Sequence, residues 1–107
     1  MSRSAGPIAA RLGRNLAAAR RRSGISQEEA ALRASLHRTE IGLLERGERM
    51  PRIDTAIKLA GAVGVPCEKL FEGIEWTPGS AQRGAFVTST LAGDDEIEAT
   101  AEDAARA

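Results

Sequence analysis

The stretch "SQEEAALRASLHRTEIGLLERG", residues 26–47, decides how this chain is read. Ser26 is followed three residues later by Glu29. That is the S-x-x-E capping box, in which each side chain satisfies the other's free backbone donor at a helix start. The spacing predicts a helix over residues 27–34. After the turn "ASLH" a second helix is expected from Arg38 to Arg46, with His37 at its N-cap position and Gly47 as its stop. Ile41 and Leu44, three apart on one face, should point inward. The intervening turn is too tight for a flexible linker. The second helix is therefore held rigidly against the first, with "HRTE" at its tip.

Upstream, Ile8, Leu12, Leu16 and Ala19 recur at helical spacing with arginines on the other faces, and the run ends in "RRRSG", where Gly24 can take the left-handed cap conformation. Downstream, "GERMP" reads as a loop, because Pro51 stops a helix from running through. A fourth helix is expected over residues 53–63 with Ile53, Ala56, Ile57, Ala60 and Val63 facing in, and Gly64 ends it. A short fifth helix opens at Pro66, faces Leu70 and Phe71 inward and closes at Gly73. Residues 7–73 thus form one helical domain. In residues 74–88 the β-prone segments "IEWTP" and "AFVTST" flank the loop "GSAQRG", which predicts a two-stranded arm. An isolated hairpin is marginal without a surface to pack on. Its Trp76 and Phe86 either cover the ends of the fourth and fifth helices or form a dimer contact. Residues 89–107 are acidic and alanine-rich, as expected of a disordered tail or a frayed helix.

The bulk numbers agree with one modest domain plus an appendage. The chain has 107 residues, 42% hydrophobic but only 3% aromatic, so aliphatic side chains supply the packing. A single cysteine, Cys67, excludes an internal disulfide and fits a reducing cytoplasm. No apolar run approaches the ~20 residues of a membrane helix, and the N-terminal stretch lacks a signal-peptide core. Net charge is zero, but unevenly spread. Residues 1–52 hold eleven arginines against five acids, whereas residues 89–107 hold six acids against one arginine. A basic domain beside an acidic tail points to a nucleic-acid face. The tail is either a solubility segment or an arm that folds back on the basic face. No glycine-rich phosphate loop, metal-ligand series or nucleophile–base arrangement occurs. No enzyme, metal or cofactor is expected.

Residues 12–73 resemble the helix-turn-helix domain of the phage repressor and Cro group, the XRE-type domain, through "SQEEAA", "LHRTEIGLLERGERMP" and "AIKLAGAVGVPCEKLFEG". The resemblance implies an all-α, five-helix, phage-repressor-like fold, here with a C-terminal extension, that presents the third helix to the major groove of double-stranded DNA. Arg38 and Thr39, in the first turn of that helix, would meet base edges. Arg38 can donate two bonds to guanine, and Thr39 can offer a hydroxyl or meet a thymine methyl. Leu43 falls on the groove face, to touch a thymine methyl or to pack against a neighbour, and Gly42 would allow close approach. Glu40 accepts from cytosine or, as favoured here, faces solvent and steers. Arg46, Arg49 and Arg52 surround the following loop and would contact phosphates, with His37 beside them. By resemblance Gln27 contacts a phosphate and steadies its neighbour, and Glu45 pairs with Arg20. Ala30 stands where the family carries a larger apolar residue. The function expected is that of a cytoplasmic, nucleoid-associated bacterial transcription regulator. It would work as a homodimer that occupies an operator or touches RNA polymerase. The alternative is an antitoxin whose residues 74–107 bind a toxin.

Overall fold

The structure is a computed structural model that describes residues 3–89. The expectations for the acidic tail fall almost wholly on residues 90–107, outside the described residues. Helices α1 (Pro7–Arg22), α2 (Gln27–Ala34), α3 (Arg38–Glu45), α4 (Ile53–Val63) and α5 (Cys67–Leu70) precede strands β1 (Ile74–Thr77) and β2 (Ala85–Thr88). The chain divides into two compact units, with the boundary between Glu72 and Gly73.

The helix ends follow local chemistry. Pro7 opens α1, where its missing N–H is not needed. The Ser26 hydroxyl accepts from the Glu29 N–H at 3.0 Å, while the Glu29 carboxylate goes to Arg33 one turn on, at 2.9 Å. Gly24, Gly47 and Gly64 each take the left-handed backbone that lets a helix stop (φ 76°, 74° and 76°).

The core of the helical unit is aliphatic. Leu16, Ile41, Leu44, Leu59 and Leu70 are its largest fully buried side chains, and alanines of α2 and α4, Ala30 among them, fill the space between. Three sequence expectations need correction. Ile53 and Ile57 are 75% and 56% exposed, whereas Leu59 is fully buried. The buried face of α4 is Ala56, Leu59, Ala60, Ala62 and Val63. It shares three members with the expected stripe, so periodicity alone could not separate the two. Phe71 lies past the end of the four-residue α5 and is exposed rather than inward. Arg11, placed by its charge on an outer face of α1, is buried. Its Nε donates to the Glu72 carbonyl at 3.1 Å, and Asn15 Nδ2 donates to the carbonyls of Leu70 and Glu72 at 2.8 and 2.9 Å. These two α1 side chains satisfy acceptors that the end of α5 leaves unpaired.

In the second unit β1 and β2 pair antiparallel, with Ile74 opposite Thr88, Glu75 opposite Val87, Trp76 opposite Phe86 and Thr77 opposite Ala85. The Trp76 and Phe86 rings meet edge to face with centroids 5.0 Å apart. Trp76 also lies over Gly84: a Cβ there would stand 2.5 Å from the indole Cζ2. Gly84 therefore seats the indole, and the aromatic pair is the hairpin's own small core.

Candidate nucleic-acid interface

The C-terminal end of α3 rests directly on α1. A Cβ added at Gly13 would lie 2.2 Å from the Leu44 carbonyl oxygen and 2.7 Å from that of Glu45. Only a glycine lets the two backbones come this close. The stop residue Gly47 repeats the device, since its Cβ would fall 2.7 Å from the Cα of Ala10. Its carbonyl accepts from the Ala5 N–H at 2.8 Å.

Side chains reinforce that end. Arg20 donates from Nε and Nη2 to the two Glu45 carboxylate oxygens, at 2.5 and 3.1 Å. Its Nη1 reaches the Ile25 carbonyl at 3.0 Å. Gln27 Nε2 donates to Glu45 Oε1 at 3.0 Å. The arginine and glutamate side chains are 13% and 7% exposed, so the pair is bidentate and largely shielded from water. The hydrogen bond to Glu45 raises the Arg20 pKa above its already high ordinary value; burial opposes this, and the glutamate's charge adds to it. One carboxylate thus ties α1, α2 and α3 together. The turn between α2 and α3 bends at Ser35, which is left-handed (φ 57°), and the Leu36 N–H closes it on the Ala31 carbonyl at 2.8 Å.

The opposite end of α3 is open. His37 occupies the N-cap position, but its side chain makes no cap hydrogen bond. Its side chain and those of Arg38 and Thr39 are exposed. Among the described residues Arg38 has no ion-pair partner. Beside the tip an open hollow of about 290 Å³ is lined by Glu28, Ala31, Leu32, Leu36, His37 and Arg38. Leu43 is half-buried on the same helix. Gly42, expected to allow close approach, is buried, and a Cβ there would lie 3.1 Å from the Arg46 Nη1 that packs over it.

The loop arginines carry loose acidic partners. Arg46 pairs with Glu48 at 2.8 Å, Arg52 with Asp54 at 3.5 Å, and Arg49 reaches Glu40 at 3.9 Å. Each arginine side chain is more than half exposed, and such pairs are worth about 0–1 kcal/mol. A phosphate can displace the acid at little cost.

The helix-turn-helix family model matches residues 16–70. The chain belongs to this family. Over 67 residues it is 37% identical to y4dJ, an uncharacterized HTH-type transcriptional regulator of Sinorhizobium fredii, covering 63% of this chain and 87% of the relative. Among solved structures, the restriction-modification controller protein C.AhdI of Aeromonas hydrophila is 33% identical with a TM-score of 0.57, covering 59% of this chain and 96% of the other. The hypothetical transcription factor NHTF from Neisseria is 32% identical with a TM-score of 0.58, covering 61% and 75%.

Within the helix-turn-helix unit, the structure brings Arg20, Gln27 and Glu45 into one cluster and leaves Arg38 and Thr39 apart from it at the far end of α3. Arg46, Arg49 and Arg52 lie on and after the C-terminal end. Sequence reading missed Gly13, Asn15 and Arg11. A glycine inside a helical run was the available signal for the first; the other two carried none. Among the described residues no group of three His, Cys, Asp or Glu is placed to hold a metal ion, and no helix is long and apolar enough to cross a membrane.

Proposed function

We propose that the chain is a sequence-specific transcription regulator that binds double-stranded DNA as a homodimer. One observation carries this reading. Arg38 and Thr39 project, exposed and without a side-chain partner among the described residues, from the tip of a helix whose other end is locked to two neighbours. An eight-residue helix fits the major groove of B-DNA, roughly 12 Å wide. Arg38 reads guanine and Thr39 reads a neighbouring base, while Arg49 and Arg52 hold phosphates. Gln27 shares this work: its amide nitrogen is engaged by Glu45, which leaves its carbonyl oxygen and the α2 start beside it. The α2 N–H groups are the phosphate-facing element there.

A single tip reads half a site. Two copies with their α3 helices about 34–36 Å apart read successive major grooves, which is the reason to expect a dimer and a palindromic operator. Selection of bound sequences from random duplex DNA tests both parts. An inverted repeat is the expected output. A non-repeating motif removes the dimer, and no enriched motif removes sequence-specific reading.

A further inference from the structure

We propose that the outer edge of β2 is a self-pairing edge, on which a second copy of this chain adds its own β2 antiparallel to make a four-stranded sheet across a two-fold axis. The inference deepens the homodimer reading above and rests on it for the identity of the partner.

The hydrogen-bond parity of the hairpin shows which backbone groups point away from the partner strand. The Ser89 N–H donates to the Gly73 carbonyl at 2.7 Å, and residue 73 stands opposite 89 in the register that pairs Ile74 with Thr88. Facing residues of an antiparallel pair alternate between bonded and non-bonded. The Glu75–Val87 and Thr77–Ala85 pairs are therefore bonded, and Ile74–Thr88 and Trp76–Phe86 are not. The close ring contact of Trp76 and Phe86 agrees, since non-bonded pairs bring side chains nearer. The N–H and C=O groups of Phe86 and Thr88 consequently point away from β1. Those of Ile74 and Trp76 point away on the other side.

The two edges differ in chemistry. Self-pairing of β1 has two low-offset registers. One sets Glu75 opposite its own copy, and the other sets Pro78, which has no N–H, opposite Ile74. Charge and proline are the devices by which sheets block an edge. From Ala85 to Thr88 β2 has neither. An uncharged edge of β-prone residues is a template for another strand.

Parity also limits the register. Outward-facing residues must bond with outward-facing residues, so Phe86 can oppose Phe86 or Thr88 of the partner subunit, but not Val87. Phe86 against the partner subunit's Phe86 is favoured. It lines up Trp76, Phe86 and their two copies in one row on one face of the sheet. Trp76 and Phe86 are 55% and 59% exposed in the single chain. An aromatic side chain buries 150–250 Å² at most, so covering these four rings removes on the order of 400 Å² from water. Stable interfaces start near 1,000 Å², so the free protein should sit in a concentration-dependent monomer–dimer equilibrium.

The chosen register sets Ala85 opposite Val87 of the partner subunit, on the face away from the aromatic row. The double substitution A85K/V87K places like charges on both rungs, while its charge at position 87 still faces Glu75 within the same hairpin. Sedimentation of the full chain without DNA is the readout, with the emission of Trp76, the chain's lone tryptophan, as a second. Wild type should dimerise with rising concentration, with a blue shift of Trp76. A85K/V87K should weaken dimerisation by about thirtyfold, and A85E/V87K, which pairs opposite charges across the axis, should restore it. Near-UV circular dichroism of the Trp76–Phe86 pair confirms that each variant keeps its hairpin. A monomeric wild type, a fully dimeric A85K/V87K or an A85E/V87K that is not rescued each overturns the edge proposal. None of these results touches the DNA reading, which fails separately if the wild type enriches no sequence.

Discussion

The two ends of α3 are built on opposite rules. At the C-terminal end the Leu44 and Glu45 carbonyls lie against Gly13 with no room for a methyl group. Glu45 takes bonds from Arg20 and Gln27. At the N-terminal end His37, Arg38 and Thr39 are exposed, and their side chains serve no part of the core. About 12 Å of helix separates the two. A helix that short transmits position without bending, so all of the ordering can be done at one end and all of the recognition at the other. Side chains at the tip are then free to suit a base edge, because none of them has to hold the fold together. The same division explains why removing a residue at one end should unfold the protein, and at the other should blind it.

The largest effect is expected at the tight contact. Gly13→Ala drives a methyl group into the Leu44 carbonyl oxygen, a backbone atom that cannot swing aside. Overpacking of this kind costs about 3 kcal/mol, which for a domain of this size lowers Tm by about 15 °C. Thermal denaturation measures it. An unchanged Tm would mean that α1 and α3 are not held at the distance described. Next is Glu45→Ala, which strands a shielded guanidinium and should cost about 3 kcal/mol by chemical denaturation. The double variant with Arg20→Ala should be less damaging than the two separate losses combined, because both remove one shared interaction.

The open end gives a different kind of prediction. Arg38→Ala should leave stability within about 0.5 kcal/mol and weaken binding to a selected site by about 1–3 kcal/mol while relaxing base choice at one position. Arg49→Ala should weaken selected and scrambled duplexes alike and reduce the salt slope by about 0.9. It also frees Glu40, now 3.9 Å from Arg49, to repel the backbone. Equilibrium titrations on both duplexes at several salt concentrations separate the two. Identical behaviour of the two variants would merge the roles assigned to the tip and the loop.

Much of this division was legible in the sequence, and the illegible part has a common cause. Capping and stop residues act on their own neighbours, so Ser26, Gly24, Gly47 and Gly64 could be read directly. The hairpin was visible for a similar reason, in two short β-prone runs around a glycine-rich loop. What depended on how one helix lies on another was harder. The α4 stripe was misplaced because apolar residues lie on both sides of the helix: Ile53 and Ile57 are about 120° and 160° round from the buried Leu59 and face outward. That Arg46, one turn on, packs over Gly42 could not be foreseen either. Gly13 went unread, although it is where α3 is seated. Asn15 and Arg11 satisfy carbonyls more than fifty residues away, and no local pattern records such a bond.

The smallest expected effect asks whether the turn shares in the ordering. Ser35 holds a left-handed backbone, φ 57°, between α2 and α3, which costs an L-residue about 1 kcal/mol. Ser35→Gly removes that strain but widens the unfolded ensemble by a comparable amount, so stability should move by only a few tenths of a kcal/mol. DNA affinity is the informative measurement. A glycine in so short a turn loosens the local backbone. If the turn were what aims the tip, the variant would bind a selected site several-fold more weakly. If the contacts at Gly13 and Glu45 aim it, affinity stays at the wild-type level, because α3 is anchored nine and ten residues further on, at Leu44 and Glu45. The second outcome is expected. The turn's own fastening, the Leu36 N–H on the Ala31 carbonyl, joins it to α2, whereas the Glu45 carboxylate joins α3 to both α1 and α2 at once.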